Sequence, residues 1–186
     1  SDKDFLDVRI GMGYEDLCVS IKSREDAMNF RADDENARLT AQIIEENRIV
    51  DNLPARLSLK ARNTIGFIGN RQKTIDTVKN LIVSLTCSHF YEDVKLVGIF
   101  DKKEFSVWEP LKWLPHMWDN DRQFRTLAFD RENAHHLCDM FTDIIKKRRE
   151  EAASSRNGIS PKPHYILIFG SKDMVEHEQI MNELFS

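Results

Sequence analysis

The sequence predicts an α/β fold: a mostly parallel sheet with helices on both faces, preceded by a short β-rich N-terminal piece. Three observations carry this. Nearly continuous apolar runs at 64–68, 94–100 and 164–169 read as strands buried on both faces. Between them, apolar residues recur every three or four positions, as amphipathic helices require. Before residue 61 the pattern differs, and apolar residues alternate with polar ones.

The elements follow in order. Residues 4–10 and 17–22 alternate, and the stretch between them carries Gly11, Gly13 and Asp16, so two short strands and a turn are expected. A polar helix over 34–47 has a narrow stripe of Ala37, Ala41 and Ile44, with Ile43 beside it. Leu57 and Leu59 share one face of an alternating run at 56–60. After the run at 64–68, Asn70 can cap a helix reaching Ser88, with Ile75, Val78, Leu81, Ile82 and Leu85 as its stripe. Residues 94–100 form the next strand, and 105–113 a short aromatic-rich helix or turn. A short strand at 125–129 precedes Asp130, a cap for a helix over 131–149 with Ala134, Leu137, Cys138, Phe141, Ile144 and Ile145 on one face. A polar loop leads to a strand at 164–169, and a helix over 173–185 follows. Strands alternating with helices imply right-handed parallel crossovers, with ligands at the carboxyl ends of the strands. Those ends place residues 69–74, 101–104, Asp130 and 170–173 under inspection.

The chain has 186 residues, enough for one sizeable domain. It is read as a single domain over 1–186, with N-terminal strands and helix over 1–60 and an alternating body over 61–186. Lys and Arg total 27 against 31 Asp and Glu, a net charge of -4 that gives no global reason to bind nucleic acid. No apolar run is long enough for a bilayer helix. Cys18, Cys87 and Cys138 are odd in number and widely spaced, which argues against a disulfide scaffold or zinc ribbon. Cys87 and Cys138 are expected in the core. The six histidines show no pair at metal-ligand spacing on one face, and no metal site is assigned. No nucleophile stands plainly beside a base, so no catalytic residue is assigned either. Lys146, Lys147, Arg148 and Arg149 form a cationic run expected at a helix end, where it would complement the dipole.

Ile65-Gly-Phe-Ile-Gly-Asn-Arg-Gln-Lys-Thr74 is a strand entering a helix through glycine, the context of a phosphate-binding loop. A working loop needs G-x-x-x-x-G-K-[ST]. Lys73 and Thr74 supply the last two residues, but Gln72 precedes them and Phe67 stands at the first glycine. Gly69, Asn70, Arg71, Lys73 and Thr74 are therefore the candidate nucleotide-binding residues of a degenerate, P-loop-like site, and the competing reading is a turn in which Gly69 serves close packing. The magnesium partner would be an acid ending a buried strand. Residues 165–169 end in Gly170 and Ser171, and Asp101, which does end a strand, is read as a solvated loop aspartate or helix cap in preference to a catalytic group. ATP and magnesium are expected to bind weakly or not at all.

Trp108, Trp113 and Trp118 cluster around Pro110 and Pro115. They either pack under the sheet edge or form a docking patch, with Trp108 and Trp118 as its candidates. Within the block, Trp113 and Leu114 are expected in the core and Trp118 partly exposed.

Several of these segments together resemble one family. The glycine turn at 65–71, residues 88–97, and above all Trp108-Glu-Pro-Leu-Lys-Trp-Leu-Pro-His116 are similar to the type VII secretion ATPases called EssC or EccC. Residues 4–13 resemble the segment following their membrane helices. The resemblance runs over nearly the whole chain, and its tryptophan block is the most specific part. It implies the first cytosolic ATPase-like domain of a larger membrane-anchored protein, on the cytoplasmic side of the bacterial membrane and ahead of FtsK/SpoIIIE-type motor domains. The implied role is coupling between membrane base and motors. The implied partners are downstream domains of the same chain, membrane-base subunits and further copies in an oligomer, with no nucleic acid. Members of the family often carry an Asp where this chain has Gly170. The alternatives are a slow ATPase using Lys73, Thr74 and Asp101, and a DNA-translocase fragment.

Overall fold

The structure, a computed structural model, describes residues 4–17, 35–62, 64–154 and 162–185. It divides into two compact units, 1–84 and 85–186.

The first unit is built on an antiparallel ribbon of β1 (Asp7–Asp16) and β2 (Ile49–Ser58), with α1 (Glu35–Glu46) between them in sequence. Gly11 and Gly13, expected in a turn, lie inside β1. The register shifts between Arg9 and Gly11 and again between Gly13 and Glu15. Bulges absorb the extra residues there, and Asn52 takes a positive φ of 64° opposite the second shift, a conformation Asn tolerates. Val8 and Leu6 are buried, and Leu59 N–H closes the ribbon on the Leu6 carbonyl at 2.9 Å. The strand expected over 17–22 lies, apart from Leu17, outside the described residues, as does the Ala37 side chain.

Residues 64–68 form no strand, contrary to the sequence pattern. Gly66 removes a side chain that a buried strand would pack, and the backbone enters no ladder. Ile68 is fully exposed. The helix after this run forms as expected: α2 spans Arg71–Ser88, with Ile75, Leu81, Ile82 and Leu85 buried. Cys87 is exposed rather than in the core, because two residues past Leu85 is a rotation to the opposite side of a helix.

The second unit holds a parallel sheet in the order β4–β3–β5, with β3 at Val94–Ile99, β4 at Leu127–Ala128 and β5 at His164–Phe169. Every residue of β3 is buried, as its apolar run requires. α4 (Arg131–Ser154) and α5 (Gln179–Phe185) cover one face. Val97 and Ile99 meet Ala134, Leu137, Cys138 and Phe141 of α4 and Ile180 of α5 in one core. α4 starts where Asp130 was expected to cap it, with Asn133 N–H donating to Asp130 Oδ1 at 2.9 Å. It runs past residue 149, so the cationic run lies inside the helix. There Arg148 donates to the Pro163 carbonyl and Arg149 pairs with Glu183.

The opposite face is shaped by Phe100. Its ring lies over Gly98 and Gly170, and an added Cβ would meet it at 2.6 Å and 2.3 Å respectively. α3 (Phe105–Trp108) brings Trp108 onto that ring, with centroids 4.3 Å apart and planes within 11°. Trp108 Nε1 donates to Glu104 at 2.9 Å, which satisfies its one polar atom.

The tryptophans therefore sort differently from expectation. Trp108 is 2% exposed and belongs to the core, not to a surface patch. Trp113, expected in the core, is 74% exposed. The reason is the period. Residues 109–113 form a 3₁₀ turn, in which positions three apart align. Trp108, Leu111 and Leu114 then share an inward face, while Pro110 and Trp113 share the outward one. Trp118 is half-buried, with the Arg125 guanidinium 3.5 Å from its ring centre. Trp108→Ala should cost about 3–5 kcal/mol in urea unfolding, whereas Trp113→Ala should stay within about 0.5 kcal/mol. A larger loss for Trp113→Ala would place that ring inside.

Candidate functional site

The glycine turn is a helix start that satisfies itself. Asn70 Oδ1 accepts from Lys73 N–H at 3.3 Å, and the Asn70 carbonyl accepts from Thr74 N–H at 2.9 Å. The Thr74 hydroxyl donates to the same carbonyl at 3.1 Å, so its proton points back along the helix. Gln72 reaches Asp76 at 3.0 Å. The sequence-predicted Gly69, Asn70, Lys73 and Thr74 are thus neighbours, but a phosphate would have to compete with Asn70 for the Lys73 amide. Gly69 does not serve close packing: an added Cβ would meet nothing nearer than Thr74 Oγ1, at 4.0 Å. Arg71 and Lys73 are exposed.

At the carboxyl end of the sheet, Asp101 is engaged as a cap. Its Oδ1 accepts from Lys103 N–H at 2.8 Å. Asp130 is engaged in the same way by Asn133, whose backbone and side-chain amides hold the carboxyl below its ordinary range. At the end of β5, where a magnesium-binding acid would stand, the Phe100 ring fills the space beside Gly170. Asp101 and Asp130 thus each spend carboxylate oxygens on the helical turn they begin, and residue 170 carries no side chain.

The block ending in His116 acts as a staple within the second unit. His116 is buried, and its Nε2 lies 2.9 Å from the His89 carbonyl, to which it donates. That fixes the proton on Nε2 and leaves Nδ1 as a buried acceptor with no protein partner among the described residues. Burial pushes the His116 pKa down, the His89 carbonyl opposes this, and the Lys95 ammonium adds to the depression. Lys95 is itself buried in β3 and donates to the Asp119 carbonyl at 3.4 Å. Beside it, the Thr126 hydroxyl lies 2.6 Å from the Leu96 carbonyl and 3.0 Å from that of Met117, tying this excursion to β3.

One cluster escaped sequence reasoning. His135 Nδ1 lies 2.8 Å from Glu178, and its Nε2 lies 3.3 Å from Asp139. Both carboxylates raise the His135 pKa, the Glu178 hydrogen bond most. The spacing of His135 and Asp139 on one helix was visible as i,i+4. The third member, 43 positions away, was not.

No family model matches the chain. Curated relatives do. The chain is 24% identical over 184 residues to the ESX secretion system protein EccC of Geobacillus thermodenitrificans, covering 97% of this chain and 12% of that protein. It is 24% identical over 185 residues to the ESX secretion system protein YukB of Bacillus subtilis, covering 98% and 12%. It is 20% identical over 177 residues to the type VII secretion system protein EssC of Staphylococcus aureus, covering 92% and 12%. These matches bear out the resemblance read from the tryptophan block. The chain spans about 12% of the length of the curated relatives it matches.

Two outcomes follow from the geometry. Gly170→Ala should destabilise the chain by about 1–3 kcal/mol through overpacking against Phe100, whereas Gly66→Ala, with nothing near its Cβ, should be nearly neutral. Urea midpoints decide, and a neutral Gly170→Ala would mean the ring yields freely. The second concerns pH. A depressed folded pKa means the unfolded state protonates His116 first, at about 6.5. Stability should hold above that value and fall as pH drops from it towards the folded pKa. His116→Asn should flatten this part of the profile, measured as the difference between variant and parent melts; parallel profiles would remove His116 as the cause.

Proposed function

We propose that this chain, which matches an EssC/EccC-family domain over nearly its whole length, is a non-catalytic coupling module of a type VII secretion protein. In this reading it stands on the cytoplasmic side of the membrane and passes motion between a membrane base and downstream FtsK/SpoIIIE-type motor domains of a longer chain. Its partners are those domains, the membrane-base subunits and further copies of itself. Among the described residues no helix is long and apolar enough to cross a membrane.

The observation that carries the non-catalytic part is the Phe100 ring beside Gly170. Phosphoryl transfer needs a divalent cation held by an acid at the end of a buried strand, close to the transferred phosphate. Here that space is packed with an aromatic pair, and Asp101 is used as a cap. The self-capped turn at Asn70 supports the same reading, because Thr74 directs its hydroxyl at its own helix. The net charge of -4 favours protein over nucleic-acid partners.

Calorimetry with ATP and magnesium tests the reading. No saturable binding is expected at micromolar concentration, and Lys73→Ala should leave both the titration and protein export by the expressed protein unchanged. Micromolar binding abolished by Lys73→Ala, or export stopped by it, would overturn the proposal in favour of a slow ATPase.

A further inference from the structure

A mixed nitrogen and oxygen donor set gathers at one corner of the second unit, with Glu178 against the Nδ1 edge of His135 and Asp139 against its Nε2 edge. His135 and Asp139 stand one turn apart on α4, and Glu178 comes from the turn before α5. One ligand atom from each lies within 4.8 Å of the others. We propose that His135, Asp139 and Glu178 form a binding site for a first-row transition dication of the zinc class.

The first argument is chemistry. Imidazole with carboxylates suits zinc and its neighbours, whereas magnesium and calcium prefer all-oxygen sets. Three protein ligands leave a coordination position open to water. The second argument is placement. Each ligand is anchored by the core beside it: Ala134, Leu137 and Cys138 flank the two on α4 and are buried. Glu178 sits between buried Val175 and Ile180, with its amide bonded to the Val175 carbonyl at 3.0 Å. The backbone positions are therefore set by packing of α4 against α5 and do not depend on the metal. The third is access. His135 and Asp139 are exposed and Glu178 is half-buried, so an ion enters without opening the fold. The ion takes a lone pair on one nitrogen of the neutral imidazole, and rotation of the exposed His135 and Asp139 side chains brings both carboxylates to that nitrogen. Any proton held between His135 and a carboxylate leaves to solvent.

The test is calorimetry of the full chain with zinc chloride at about pH 7.5, at which zinc competes with protons for its ligands. It is run in a Cys87→Ser background, because the exposed Cys87 thiol is a competing ligand. One saturable site is expected. His135→Ala, Asp139→Asn and Glu178→Gln should each weaken it about tenfold or more, and excess magnesium should not displace the zinc. Because the site joins α4 to the segment before α5, zinc should also raise the melting temperature of the parent and not of His135→Ala. The three side chains lie at the surface, and circular dichroism checks that each variant keeps its fold. Absence of saturable binding would overturn the proposal, leaving an imidazole bridging two carboxylates. Zinc binding that all three variants retain would also overturn it, placing the ion elsewhere on the chain.

Discussion

The Phe100 ring lies over two glycines, and much of the second unit is arranged around it. Gly98 is in the central strand and Gly170 ends the neighbouring one, so the ring can lie flat only because both positions lack a Cβ. Trp108 then stacks on the other side of the ring, and Phe129 contacts it at 6.2 Å between centroids. A side chain at either glycine, or a smaller residue at 100, would disturb the sheet end and the helical turns that follow. The aromatic layer fixes where 102–113 departs from the sheet, and so where His116 and Met117 return to it.

That return is held by buried polar groups. His116 and Thr126 spend their donors on backbone carbonyls of 89, 96 and 117, and Lys95 lies buried beside them. A buried polar group left unpaired costs far more than a paired one contributes. The arrangement therefore specifies one conformation of the excursion more strongly than it stabilises it. The same economy appears at the helix starts, where Asn70, Asp101 and Asp130 each serve the turn they begin.

The pattern of apolar residues made β3, β5, α2 and α4 legible, because burial on both faces or on one stripe writes a period into the chain. Three kinds of error share a physical source. The run at 64–68 has the hydropathy of a strand, yet Gly66 and the lack of a ladder partner keep it irregular. Trp113 has the apolar neighbours of a core residue, but a 3₁₀ turn has a period of three and places it outward. The bulged β1 has the pattern of a hairpin because glycine signals a turn, whereas here it stands at a register shift. The glycine turn itself was legible as a degenerate loop, and Asn70 as its cap. The Phe100–Gly170 contact and the His135–Asp139–Glu178 corner were not, since both join residues far apart in sequence and follow no short motif.

The departure at Gly170 from the aspartate that the resemblance leads one to expect is more than one substitution deep. If glycine had replaced an acid in an otherwise open site, restoring Asp would restore a ligand. Here the volume is already filled by a ring that is stacked on a buried tryptophan and confined by a second glycine at 98. An acid at 170 would have to displace Phe100, and Phe100 could move only by unstacking from Trp108. The cost of that repacking falls on the core, while the gain is a lone carboxylate with Asp101 already committed to its cap. Packing and chemistry thus oppose each other at this position. A sequence can drift into such an arrangement when the position no longer has to hold a metal, and leaving it would require changes at 100, 108 and 170 together.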